Sequence, residues 1–155
     1  AAAAEAYKGK VRNSGVQAVV GGVGDHGWEY MTGGVVVVLG STGRNFGAGM
    51  SGGEAYVLDE DGTFQDTVNR EMVHVEALTD ERDRRLVRRL VEHHLHHTGS
   101  AKATRVLDAW DTCVGRFCKV MPDAFARQVE AHLENGEDIR PPVPPAPGAS
   151  STVLA

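Results

Sequence analysis

Apolar positions in the first half of the chain come in short bursts and not in a helical rhythm. Val16-Gln17-Ala18-Val19-Val20, Val35-Val36-Val37-Val38-Leu39 and Glu54-Ala55-Tyr56-Val57-Leu58 are rich in β-branched or aromatic side chains, and each directly follows a glycine. Those glycines, Gly15, Gly34 and Gly53, are spaced 19 residues apart, as are the near-copies Met31-Thr32-Gly33-Gly34 and Met50-Ser51-Gly52-Gly53. Short apolar runs bounded by glycine predict strands, and a fixed period predicts stacked repeats. The predicted fold class is mainly β: a right-handed parallel β-helix, a solenoid of ~19-residue repeats, then two or three α-helices and a disordered C-terminal tail. In such a solenoid coils lie about 4.8 Å apart with valines inward, and glycine supplies positive φ at the corners. Three copies sit near the lower limit for stability and leave an open N-terminal strand edge. The expectation is therefore a fragment, a truncated product or a separate small subunit of something larger.

Past Leu78 the rhythm changes to a helical one. Thr79, Asp80, Glu81 and Asp83 predict an N-cap with an acidic first turn, and Leu86, Val87, Leu90, Val91 and His94 form a stripe at i, i+3, i+4 spacing. Gly99 stops that helix and Ser100 caps the next, whose apolar face is Ala103, Val106, Leu107, Trp110, Val114 and Phe117. A third helix is expected from Pro122 to near Gly136. From Arg140 the sequence turns to Pro-Pro-Val-Pro-Pro-Ala-Pro-Gly, with little to bury. The predicted domains are thus β-helix coils over 1–78, a helical appendage packed on them over 79–136, and a Pro-rich disordered tail over 137–155.

Composition narrows the function classes. With 155 residues, 16 Lys+Arg and 21 Asp+Glu, the chain suits one domain and lacks the basic face of a nucleic-acid binder. No apolar run reaches the roughly 18 residues of a membrane-spanning helix, and Ala1–Ala4 has no signal-peptide character. Two cysteines make no disulfide framework, so the cytoplasm is the expected location, with neither nucleic acid nor membrane as partner. Glycine is the exception: 15 of its 19 occurrences lie in the 54 residues from Gly9 to Gly62, about four times the average usage of ~7%.

Several motifs resemble catalytic or binding signatures, and each has a plainer reading. Gly22-Val23-Gly24-Asp25-His26-Gly27 and Gly47-Ala48-Gly49-Met50-Ser51-Gly52 match G-x-G-x-x-G, but neither leaves room for the helix whose N-terminus would hold a pyrophosphate. His93 and His97, one helical turn apart among His94 and His96, could share a metal, yet no third ligand is evident. Cys113 and Cys118 read as buried structural thiols beside Trp110 and Phe117. Asp59-Glu60-Asp61-Gly62 lacks the glutamate that closes a calcium loop and reads as a turn. Asp25, His26 and Glu29 have no nucleophile to serve. The residues therefore assign no catalytic, cofactor-binding or metal site.

The stretch from Val11-Arg12-Asn13-Ser14-Gly15 to Asp59-Glu60-Asp61-Gly62 resembles the C-terminal glycine-repeat (GXGXG) domain of the glutamate synthase large subunit. The resemblance is carried by Gly21-Gly22-Val23-Gly24-Asp25-His26-Gly27-Trp28-Glu29-Tyr30-Met31-Thr32-Gly33-Gly34, Thr42-Gly43-Arg44-Asn45-Phe46 and Ala48-Gly49-Met50-Ser51-Gly52-Gly53. Thr98-Gly99-Ser100 and a Lys119-Val120-Met121-Pro122 turn extend it to about residue 130. The resemblance implies a non-catalytic spacer in an enzyme that releases ammonia from glutamine and uses it to convert 2-oxoglutarate to glutamate. FMN and iron–sulfur clusters serve that family elsewhere, and no cofactor is expected in this chain. The implied partners are the remaining large-subunit domains and the small subunit. Two other classes compete: a free-standing β-helix interaction module docking on a separately encoded partner, and a small enzyme or metal protein using Asp25, His26 or the His93–His97 group.

Overall fold

The computed structural model describes residues 17–21, 32–40, 42–43, 46–47, 50 and 52–148. The three glycine-led segments become strands β1 (Gln17–Val20), β2 (Thr32–Val38) and β3 (Gly52–Leu58). They pair in parallel, with Gln17 opposite Val35 and Val35 opposite Glu54. After β4 (Val73–Ala77) come the helices α1 (Glu81–Thr98), α2 (Ala101–Asp108) and α3 (Trp110–Cys113), then β5 (Phe117–Pro122) and α4 (Asp123–Glu134).

The β-helix expectation is corrected by the sheet order. Among the described residues the strands form one open five-stranded mixed sheet, β1-β2-β3-β5-β4, and no solenoid. The place beside β3 where a further coil would stack is taken by β5, which returns from the helices and pairs antiparallel with both β3 and β4. Period alone says that successive repeats are neighbours; it does not say what lies against the last one. The second helix also ends earlier than its apolar spacing predicts. Val114–Arg116 is a 3₁₀ turn, and Phe117 to Pro122 is strand, where the sequence suggests helix and then turn.

Period-2 alternation puts the two faces of the sheet to different uses. Val19, Val35, Val37, Leu39, Tyr56, Leu58 and Phe117 pack under Leu86, Val87, Leu90 and Val91 of α1 and Ala103 and Val106 of α2. On the other face, Ala18, Val20, Val36, Val38, Ala55, Val57 and Val120 are covered by Phe46, Met50 and Phe64 from the connections around β3. Both faces are buried, which is why the strands read as continuous apolar runs.

Local chemistry sets the element ends. Asp80, and not Thr79, caps α1, accepting from the Arg82 backbone N–H at 2.8 Å. Gly99 ends α1 at φ 66°, and the Ser100 hydroxyl accepts from the Ala103 N–H at 3.1 Å to start α2. Gly34 and Gly53, at equivalent points of the repeat, have φ of 83° and 82°. A β-branched side chain is strongly disfavoured in that region, so Gly34→Val is expected to cost more than about 2 kcal/mol in a denaturant titration. An unchanged midpoint would refute the backbone requirement.

Beyond α4, residues 137–148 have no regular secondary structure, but they do not hang free as the composition predicts. Val143 packs at the margin of the α1 core, and Arg82 donates to the Pro141 carbonyl at 2.6 Å. Residues 149–155 lie outside the described residues.

Candidate functional site

The polar groups the fold gathers most closely lie inside it. On β5, Lys119 stands opposite Tyr56 of β3 on one side and Glu76 of β4 on the other. Two residues before Tyr56, and so on the same face, is Glu54. Over them sits Asp83 in the first turn of α1. The Lys119 ammonium donates to Asp83 Oδ2 at 2.7 Å and lies 3.5 Å from Glu54 Oε2. The Tyr56 hydroxyl donates to Glu54 Oε1 at 3.0 Å, and the ammonium is 5.9 Å from the centre of the Tyr56 ring. Relative exposures of 0% for Glu54, 2% for Asp83 and 7% for Lys119 decide the character of the group: it is a sealed cross-link between sheet and helix.

Electrostatics in this enclosure are unbalanced. Two carboxylates face one lysine, with the Arg82 guanidinium only at the margin, 3.9 Å from Asp83 Oδ1. Among the described residues, Glu54 Oε2, Asp83 Oδ1 and Arg82 Nη1 are buried without a hydrogen-bond partner. Burial pushes the Glu54 carboxyl above its ordinary pKa, and the Lys119 charge only partly opposes this. Burial disfavours the Lys119 ammonium, but the Glu54 and Asp83 carboxylates outweigh it and hold its pKa above the usual lysine value. Burial, then the Glu54 charge, keeps the Tyr56 phenol protonated well beyond its normal range.

Because the folded Glu54 pKa is raised, the stability it contributes is full at pH below the ordinary glutamate value. That contribution is lost as pH rises through the folded value. Glu54→Gln is expected to flatten this part of the pH–stability curve while keeping the acceptor for Tyr56. Urea unfolding across the mildly acidic range reads the effect, and a variant slope equal to the parent's would refute it.

Among the described residues, the groups singled out in the sequence are not assembled into a site. Asp25, His26, Glu29 and the first G-x-G-x-x-G lie outside the described residues. The second runs into β3 after Gly52, where a nucleotide cradle needs a helix. His93 and His97 stack at 6.3 Å between ring centres on α1, His94 is buried, and the described residues contain no group of three metal-ligating side chains. Cys113 packs with the α1 face of the sheet and Cys118 with the opposite face, so the two thiols cannot share an iron–sulfur cluster. Asp59 to Gly62 forms a turn in which Asp59 Oδ1 accepts from the Phe64 N–H at 3.2 Å. The open hollow beside it, about 200 Å³, is bordered by Asp59, Glu60 and Asp61. An acidic border disfavours a flavin phosphate in this hollow.

The charge cluster is the feature that sequence reading missed. Alternation along β3 does place Glu54 on the Tyr56–Leu58 face, which was the available signal; Lys119 lay in a presumed turn.

Comparison with known proteins decides the family. A profile of the GXGXG motif matches residues 1–123. The chain belongs to the GXGXG family. It is 48% identical over 125 residues to the glutamate synthase [NADPH] large chain of Bacillus subtilis, an alignment covering 80% of this chain and 8% of that one. It is 49% identical over 130 residues to the glutamate synthase [NADH] of Schizosaccharomyces pombe, covering 84% and 6%. With the ferredoxin-dependent glutamate synthase of Pyropia yezoensis the identity is 49% over 116 residues, covering 75% and 8%. The chain thus spans less than a tenth of the length of these relatives. The GXGXG match takes in the sheet, α1 to α3 and all members of the charge cluster, and it ends at the start of α4.

Proposed function

We propose that this GXGXG chain is a non-catalytic structural domain of a glutamate synthase, bracing the glutaminase and FMN-binding synthase domains. Its work is to hold shape. The observation that carries the reading is the sealed cluster of Glu54, Tyr56, Asp83 and Lys119: its polar groups are turned on one another and not toward a substrate-sized opening. Such a cluster fixes α1 on the sheet and presents a rigid body to neighbours. Relatives named as glutamate synthases across three electron-donor types support the parent activity. FMN and iron–sulfur chemistry belongs to other parts of that parent, and no step of it is assigned to a residue here.

The test is complementation. A glutamate synthase large chain lacking its GXGXG segment is assayed for glutamine-dependent glutamate formation with and without this chain, co-expressed. Recovery of activity on adding the chain supports the bracing role. Full activity without the segment, or turnover by this chain alone, overturns it.

A further inference from the structure

The segment after α4 is built to be held by its backbone. Proline lacks an N–H, and the polyproline II helix has no internal hydrogen bonds, so its carbonyls are free to accept from elsewhere. Three do so here. Arg82 donates to the Pro141 carbonyl at 2.6 Å, Gln17 to that of Pro142 at 3.3 Å, and His93 Nε2 to that of Pro145 at 2.7 Å. These donors come from the N-terminal and C-terminal parts of α1 and from β1, the edge strand among the described residues. Along α1, Arg82 and His93 are about 16 Å apart at 1.5 Å per residue. Pro141 to Pro145 spans about 12 Å at 3.1 Å per residue in polyproline II, a gap the long arginine side chain closes.

Burial repeats with the same threefold period. Pro142 and Pro145 are exposed, while Pro141, Val143, Pro144 and Ala146 are half-buried, and a turn at Pro147–Gly148 follows. A helix of three residues per turn lying in a groove shows one free edge and two covered ones. Val143 reaches the core cluster under α1. At the start of the segment, Arg140 is fixed by Asp138 at 2.7 Å and lies 3.8 Å from Asp80, the α1 cap.

We propose that α1 and the β1 edge form a docking groove for a polyproline II ligand, and that Arg140–Pro147 is its tethered occupant. The donors Gln17, Arg82 and His93 read backbone carbonyls, and the gap at the core margin takes the Val143 side chain. The same groove accepts a proline-rich peptide of this type in trans once the tether is displaced. The tail segment lies outside the family match and the groove inside it, and the proposal does not depend on the glutamate synthase reading.

Two measurements on the full chain test it. In the unmodified protein, the Val143 and Ala146 amides are expected to be as rigid by ¹⁵N relaxation as those of α1; mobility like that of a free peptide overturns the proposal. A labelled peptide of residues 138–148 is then titrated onto Val143→Asp and onto the unmodified chain. A tethered occupant acts at millimolar effective concentration, so the peptide is expected to bind the variant at least ~10-fold more tightly. The pair Pro141→Gly and Pro144→Gly, which leaves the core untouched, serves as a second released chain. Equal binding to released and unmodified chains, or none to a released chain with the parent's circular dichroism, overturns the proposal.

Discussion

Lys119→Met is expected to destabilise the chain by about 3–5 kcal/mol at neutral pH, the penalty for removing one partner of a buried ion pair. Methionine keeps most of the stem volume and so isolates the loss of charge. What remains is Asp83, which held the ammonium at 2.7 Å, and Glu54, whose second oxygen has no other partner among the described residues. Among the described residues the Arg82 guanidinium comes within 3.9 Å of Asp83, but it is already engaged by Pro141. Since small domains are stable by roughly 5–15 kcal/mol, such a loss removes a fifth or more of the total. Urea unfolding measures it directly. Adding Glu54→Gln to the methionine variant should restore part of the loss, because one of the stranded charges is then gone and the two sites are coupled. A single variant within about 1 kcal/mol of the parent would mean that the cluster is wetter and weaker than its burial indicates.

The cluster also shows which parts of this protein were legible beforehand. Glycines spaced by 19 residues correctly mark three neighbouring strands, because stacking in register needs the same backbone at the same point of each repeat; Gly34 and Gly53 indeed share a φ near 83°. Helix α1 announces itself through its stripe and caps, which are local signals. Strand β5 does not. Phe117-Cys118-Lys119-Val120-Met121-Pro122 has a lysine at an inward position and a proline at its end, and only pairing with β3 and β4 makes it a strand. With β5 missing, the repeats extrapolate to a solenoid, and Glu54 and Lys119 look like unrelated surface charges. The same gap hid the candidate site, since a buried ion cluster is defined by contacts between residues far apart in the chain. The proline tail is a different case. Its composition speaks only of low hydrophobicity, whereas its placement depends on donors carried by β1 and α1.

Phe46→Ala is expected to cost about 3–5 kcal/mol, the range for truncating a buried aromatic side chain. The sheet face away from α1 is lined by small or β-branched side chains, Ala18, Val20, Val36, Val38, Ala55, Val57 and Val120. Among the described residues no α-helix contributes to that cluster; the bulk comes from Phe46, Met50 and Phe64, the last at the start of a 3₁₀ turn. Phe46 is fully buried and meets Phe64 edge-on at 5.3 Å between ring centres. Its backbone is pinned as well, donating to the Thr67 carbonyl at 3.1 Å and accepting from the Asn69 N–H at 2.8 Å. Those bonds hold the connection in place when the ring is removed, so the surroundings cannot collapse into the space and the cavity persists. Leu133, 43% exposed on α4, provides the contrast: Leu133→Ala should stay within about 0.5 kcal/mol of the parent. Hydrogen exchange would show where the loss falls, with β1 to β3 amides losing protection along with those of α1 if the two faces form one cooperative unit. A Phe46→Ala variant less than about 1.5 kcal/mol below the parent would show that this face relaxes freely, and a domain that soft would be a poor brace for its neighbours.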